Sequence, residues 1–238
     1  MKENLSPTQL LSLDFYDGYV YKFLQDTAAG GDDRETGLYN YYRGRFDNRR
    51  GGLTEQEGAL VDYLLSAFPP DTVFVHAGIG AGTVAGAIAA MGRSITGIEG
   101  DPLRLKLAAR LRQSLSAVWP EVAARYTLVE GYFPEVLAQV PTGAGAVLFF
   151  TNFFATLPPA RAAQIVASLS AFAHVIVELR TFMTMQETAA ERDAMLARLL
   201  ASGLSDEGPV IAEVAGCYFR RLQPRGNLKT RKGAEAAN

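Results

Sequence analysis

The sequence has a single cysteine, Cys217, and only two histidines, His76 and His174. One thiol excludes an intramolecular disulfide and fits a reducing, cytoplasmic setting. Cys217 lies in the apolar run 210–219, where a thiol is expected to fill core rather than act as a nucleophile. The two histidines are far apart and neither belongs to a ligand-spaced cluster, so no metal site is expected. An excess of charge of one sign is missing too. The 23 basic and 25 acidic residues leave a formal net charge of −2, which gives no general pull toward nucleic acid or an anionic membrane. The first residues, with Asp14 and Asp17, lack the basic start and apolar stretch of a signal peptide.

Long hydrophobic runs are scarce. Residues 73–92 carry no charge over about the length of a membrane span. Within them Gly78, Gly82 and Gly86 repeat a small-xxx-small spacing. Alanine and glycine dominate the stretch, however, and no positive cluster marks an inside end. It is better read as a buried strand, a glycine turn and an Ala-rich helix, and no membrane association is expected.

What is present suits one large α/β domain: 238 residues, 48% hydrophobic and 20% charged. The first fifty residues read as irregular, with Phe15, Tyr16, Tyr19, Tyr21 and Phe23 ahead of a polar stretch. Thr54 with Glu57 forms a capping box, and Leu60, Val61, Leu64, Leu65 and Phe68 follow at helical spacing until Pro69 and Pro70 stop it. Strands are then expected at 72–77, 94–99, 126–130, 146–150 and 174–179. Helices are expected at 83–91, 102–116, 159–171 and 184–201. Residues 210–222 read as two antiparallel strands around Gly216. The pattern predicts a mostly parallel seven-stranded sheet with an antiparallel C-terminal hairpin and helices on both faces. It divides the chain into an N-terminal segment 1–53, a lid or an interface, a ligand-binding domain 54–223, and a basic, disordered tail 224–238.

The central signal is the strand 73–77 running into Gly78, Gly80 and Gly82. Glycine at alternate positions lets the chain turn sharply and lets a ligand touch backbone. Dinucleotide sites prefer G-x-G-x-x-G, and here the sixth position is Thr83. The tighter spacing favours S-adenosylmethionine (SAM), which has no phosphate to bring to a helix N-terminus. Glu99 ends the next strand, 21 residues past Gly78. An acid there is placed to accept hydrogen bonds from ribose hydroxyls; otherwise it is a solvated strand-end carboxylate.

Residues 73–111 resemble the first two motifs of class I SAM-dependent methyltransferases, with their Rossmann-like sheet. The resemblance implies SAM as cofactor, held by Gly78, Gly80, Gly82 and Glu99. The family usually has an acid where His76 stands, helping to fix the methionine end of SAM. His76 either bonds the cofactor in another way, or marks weakened binding, or is a buried structural histidine. Tyr132 stands where the family often has an acid for the adenine amine, and is expected to meet adenine or to pack in the core.

The strand 147–150 runs into Thr151, Asn152, Phe153 and Phe154 at the ligand edge of such a sheet. The resemblance puts Asn152 opposite the sulfonium and the incoming nucleophile, as both a catalytic and a cofactor-binding residue. Phe153 is expected to wall off water beside the substrate. The alternatives are a turn cap and core packing. This corner, with 126–133, resembles the histone-lysine methyltransferases that lack a SET domain, although no histone substrate follows. Tyr42, Arg43 and Arg45 are candidate substrate contacts in a segment that closes over SAM.

The expected reaction is direct displacement at the SAM methyl, with an O or N nucleophile on an acceptor that is a small molecule rather than a protein. Homo-oligomer formation through the aromatic N-terminal segment is compatible with the sequence. The rival readings are a non-catalytic SAM-fold binding protein, a nicotinamide oxidoreductase and an aminopropyl transferase.

Overall fold

The computed structural model describes residues 12–28, 52–151, 153, 159–179, 189–211 and 219–225. In chain order the elements are α1 (Leu13–Ala28), α2 (Glu55–Ala67), β1 (Val73–Ala77), α3 (Thr83–Ala90), β2 (Ile95–Glu99), α4 (Pro102–Val118), α5 (Pro120–Arg125) and β3 (Tyr126–Glu130). Then come β4 (Gly143–Phe150), α6 (Pro159–Ser168), β5 (Phe172–Glu178), α7 (Ala189–Ala201), β6 (Leu204–Pro209) and β7 (Phe219–Pro224).

Their starts and stops follow local chemistry. The capping box of α2 is complete: Thr54 Oγ1 accepts from the Glu57 amide, and the Glu57 carboxylate accepts from the Thr54 amide. Asp101 caps α4 through the Arg104 amide, with Pro102 at the first helical position. The last turn of α2 has no basic residue of its own; Arg93 supplies one, donating to the carbonyls of Leu65, Phe68 and Pro69 and lying over the Phe74 ring.

The seven strands form one sheet in the order β3-β2-β1-β4-β5-β7-β6. The first five are parallel, and β7 runs antiparallel to both β5 and β6. The order reverses between β1 and β4, so the carboxyl ends of those two strands flank a crevice. Alternate residues face opposite layers. Phe74, Phe149, Ile176 and Phe219 join the core under α1, α2, α3 and α4. Val75, Ala77, Leu148, Phe150, Val175 and Val177 join the core with Ile165, Met195 and Leu199 of α6 and α7.

The structure departs from the sequence pattern at both ends. Residues 13–28, inside the stretch that reads as irregular, form α1. Tyr16, Val20 and Leu24 are buried on one face, and the Tyr16 hydroxyl donates to the Thr83 carbonyl at 2.6 Å. The antiparallel pair is also displaced. Its first strand is Leu204–Pro209, too polar to read as a strand, and it exposes alternate residues at the sheet edge. Val210 and Ile211 lie beyond β6, although the Val210 amide still donates to the Phe219 carbonyl. Pro224 ends β7, and Arg225 bonds the carbonyls of Leu200 and Leu204. Cys217 lies outside the described residues. Among the described residues no helix is long and apolar enough to cross a membrane, and residues 73–92 are β1, the turn and α3.

Candidate cofactor site

The turn after β1 is built as its glycines require. Gly78, Gly80 and Gly82 have φ of 73°, 60° and 78°, a left-handed region that strains residues with a Cβ. The amides of Gly78 and Ile79 donate to the Ile98 carbonyl at 2.9 and 3.1 Å, which pins the turn to the end of β2. Space excludes side chains as well. A Cβ on Gly78 would strike the Phe153 ring, and one on Gly82 would strike the Tyr126 hydroxyl. Gly82 therefore answers to internal packing beneath the turn, whereas Gly78 faces a ring from the end of the fourth strand.

Glu99 is 5% exposed and ties the turn to the next helix. Its Oε2 accepts from the Gly80 amide at 2.9 Å, and its Oε1 accepts from the Asp101 amide at 2.9 Å. A carboxylate has about four acceptor positions, so two remain for hydroxyl donors. The carboxylate stands at the end of β2, beside the half-buried Gly80.

Tyr132 is 61% exposed and its ring lies against the backbone of Gly100, the residue after Glu99. The ring is thus an open flat surface near the carboxylate, and it does not enter the core. Phe153 packs on Phe150, ring centroids 5.0 Å apart, as well as on Gly78.

His76 does not take the role of an acid. It is 1% exposed and stacks on Phe149, with centroids 4.2 Å apart and planes 22° apart. Its Nε2 lies 3.0 Å from Thr151 Oγ1. Burial pulls its pKa down from 6.5 to about 3, so the ring is neutral. The other histidine, His174, is distant from this turn. It sits early in β5, between Phe68 and Arg221.

The structure thus brings together His76, Gly78, Gly80, Gly82, Glu99, Tyr132 and Phe153 along the carboxyl edges of β1 to β4. Asn152, Tyr42, Arg43 and Arg45 lie outside the described residues. Sequence reasoning missed Thr151, which partners His76, and Asp101, whose amide holds Glu99. Asp101 was legible as an N-cap before Pro102; Thr151 carried no signal beyond standing next to Asn152. A separate cleft of about 520 Å3 between α1 and α2 gathers Asp14, Asp17 and Glu55 but none of the predicted residues. Among the described residues no group of side chains could hold a metal ion.

No protein-family model matches the sequence, and no curated relative matches it. Solved structures do match. A TehB-like SAM-dependent methyltransferase from Corynebacterium glutamicum superposes with a TM-score of 0.57 at 17% identity, over 79% of this chain and 98% of that one. Magnesium protoporphyrin IX methyltransferase from Synechocystis, solved with bound SAM, gives 0.52 at 14% identity, over 94% and 100%. The glycopeptide N-methyltransferase MtfA gives 0.53 at 14% identity, over 72% and 97%. The fold is the class I methyltransferase fold. Within it, the seven strands, the parallel β1 to β5 and the antiparallel β7 follow the expected architecture, while β6 corrects the sequence reading of the hairpin.

Proposed function

We propose that this chain is a SAM-dependent methyltransferase that moves a methyl group from SAM to an oxygen or nitrogen of a small acceptor. The observation that carries the reading is the Glu99 carboxylate bonded to the Gly80 amide. It joins the left-handed glycine turn that follows β1 to the acid that ends β2, at the carboxyl edge of the sheet. The three solved neighbours are named as methyltransferases, one of them with SAM bound, which supports the same cofactor here.

The residues fit that cofactor. Glu99 has acceptor capacity left for ribose hydroxyls, Tyr132 offers a ring for adenine, and Gly80, bonded to Glu99, lets the ligand approach backbone. SAM supplies an electrophilic methyl on a positive sulfur, so the chain needs to hold the nucleophile in line and keep the site dry. Phe153 is the proposed group for the latter, its ring resting on Gly78. Asn152, next to it in sequence, is the proposed group that orients the acceptor. Tyr42, Arg43 and Arg45 are the proposed acceptor contacts in a lid formed by 39–48. The single cysteine supports a cytoplasmic setting.

One observation favours a second reading, a SAM-fold protein whose cofactor site is lost and which binds a partner without catalysis: the usual acid beside the glycine turn is replaced by a buried, neutral His76. Calorimetric titration with SAM, its demethylated product S-adenosylhomocysteine and NADH separates the readings. Micromolar binding of SAM or product, weakened in Glu99→Ala, is the expected result. Binding of NADH alone would overturn the cofactor assignment. No binding of SAM or product would put the partner-binding reading in its place.

A further inference from the structure

His76 is a buried polar side chain with one partner and one idle nitrogen. Nε2 meets Thr151 Oγ1 at 3.0 Å, whereas Nδ1 is out of contact with solvent and has no hydrogen-bond partner. A neutral imidazole carries one N–H and one lone pair. Burying an unpaired N–H is rarer and costlier than burying an unpaired acceptor. The N–H therefore sits on Nε2 and donates to Thr151 Oγ1, and Nδ1 keeps its lone pair. The stack on Phe149 fixes the plane of the ring, so the direction of this donation is fixed too.

The consequence falls on Thr151. Its oxygen accepts from His76, and its own proton is left to donate. Among the described residues the Thr151 side chain makes no other hydrogen bond, and it is only half-buried. It follows Phe150, which pairs with Ala77 in register, so it stands at the carboxyl edge immediately beside Gly78. The pair thus presents an oriented, uncharged O–H donor at the mouth of the glycine turn. The oxygen keeps a second lone pair, but the proton distinguishes the ligand's two ends: a carboxylate can accept it and an ammonium cannot.

We propose that Thr151 binds the cofactor through its aminoacyl carboxylate, and that buried His76 acts as the positioning residue that aims the Thr151 hydroxyl. The proposal rests on the reading of this site as one for SAM. It makes the neutral His76–Thr151 pair a different solution to holding the aminoacyl end, replacing attraction of its ammonium by an acid.

The test titrates the wild-type chain, Thr151→Val and Thr151→Ser with two ligands. S-adenosylhomocysteine carries the aminoacyl end. Methylthioadenosine shares the adenine, ribose and sulfur but lacks it. In Thr151→Val the affinity for S-adenosylhomocysteine is expected to fall about tenfold, a charge-assisted hydrogen bond's share, with methylthioadenosine unchanged. Thr151→Ser keeps the hydroxyl and restores binding. Heteronuclear NMR of the imidazoles gives a readout independent of ligand. With only two histidines in the chain, His76 is expected as the Nε2–H tautomer in wild type and Thr151→Ser, and to lose that preference in Thr151→Val. Equal weakening of both ligands, no weakening of either, or an Nδ1–H tautomer in the wild type would each overturn the proposal. Failure of both ligands to bind wild type would instead sink the cofactor reading on which it stands.

Discussion

Glu99 and His76 stand on neighbouring strands, and burial treats them in opposite ways. Glu99 stays useful because two backbone amides surround its carboxylate. Replacing it with glutamine keeps the shape but turns one of those acceptors into a donor facing an N–H. Glu99→Gln should cost about 1–3 kcal/mol of stability, the price of a buried amide left unsatisfied, and should weaken SAM binding at the same time. Chemical denaturation and titration of one preparation check both. His76 is held neutral, its pKa pulled from 6.5 to about 3 by burial alone. As pH falls below about 6.5 the unfolded chain takes up a proton at His76 that the folded chain refuses, so this residue's contribution to stability drops by up to about 1.4 kcal/mol per pH unit. His76→Phe removes the titrating group and keeps a ring against Phe149. Between pH 6.5 and 5 the stability difference should shift by about 1.5 kcal/mol in favour of the variant. Urea unfolding at the two pH values decides, and parallel behaviour of the two chains would show that His76 titrates normally.

At the scale of elements, α1 and α3 are locked by a tyrosine in the place of a side chain that α3 lacks. The Tyr16 hydroxyl donates to the Thr83 carbonyl and fills the space beside Gly86. On helix propensity alone Gly86→Ala would stabilise α3 by about 1 kcal/mol. Here the new Cβ meets the Tyr16 hydroxyl and Leu115, so the substitution should destabilise instead. Tyr16→Phe should cost about 1 kcal/mol by itself and reduce the penalty of Gly86→Ala, giving a coupling above about 0.5 kcal/mol in a double-mutant cycle. Additive effects would mean that the two residues do not share the contact. The same pair shows where the sequence was legible and where it was not. Strands β1 to β5 announced themselves by dense apolar runs, and α2 and α4 by their caps. Helix α1 had its signal too, Tyr16, Val20 and Leu24 four residues apart, but surrounding aromatics such as half-exposed Phe15 masked the period. Strand β6 had none: Ser205, Asp206, Glu207 and Gly208 form a strand because β7 offers them a ladder at the sheet edge, a tertiary cause that no local pattern records. At the site, glycine spacing and Glu99 could be read from sequence because backbone conformation dictates residue type there. The Thr151 partnership of His76 could not, since it joins residues 75 positions apart and depends on register.

For the molecule as a whole, the site runs along the carboxyl edges of β1 to β4, and every part of it is carried by a different element: the turn by β1 and α3, the acid by β2, the ring by the second residue after β3, Thr151 by the end of β4. A ligand bound there touches parts that only the folded state brings together, so binding must stabilise the whole domain. At a hundredfold excess over its dissociation constant the gain is about 2.7 kcal/mol, which in a domain of this size raises Tm by roughly 5–10 °C. S-adenosylhomocysteine is the ligand of choice for the measurement, because it cannot be turned over. The wild-type Tm should climb with ligand concentration, and Gly78→Ala, with a Cβ at φ 73° and in the path of Phe153, should start lower and climb less. Thermal scans over a range of ligand concentrations separate the two effects. A variant that starts lower but climbs as far as the wild type would mean that Gly78 serves the turn's conformation alone. Equal shortfall in both would tie the glycine to the ligand as well as to the chain.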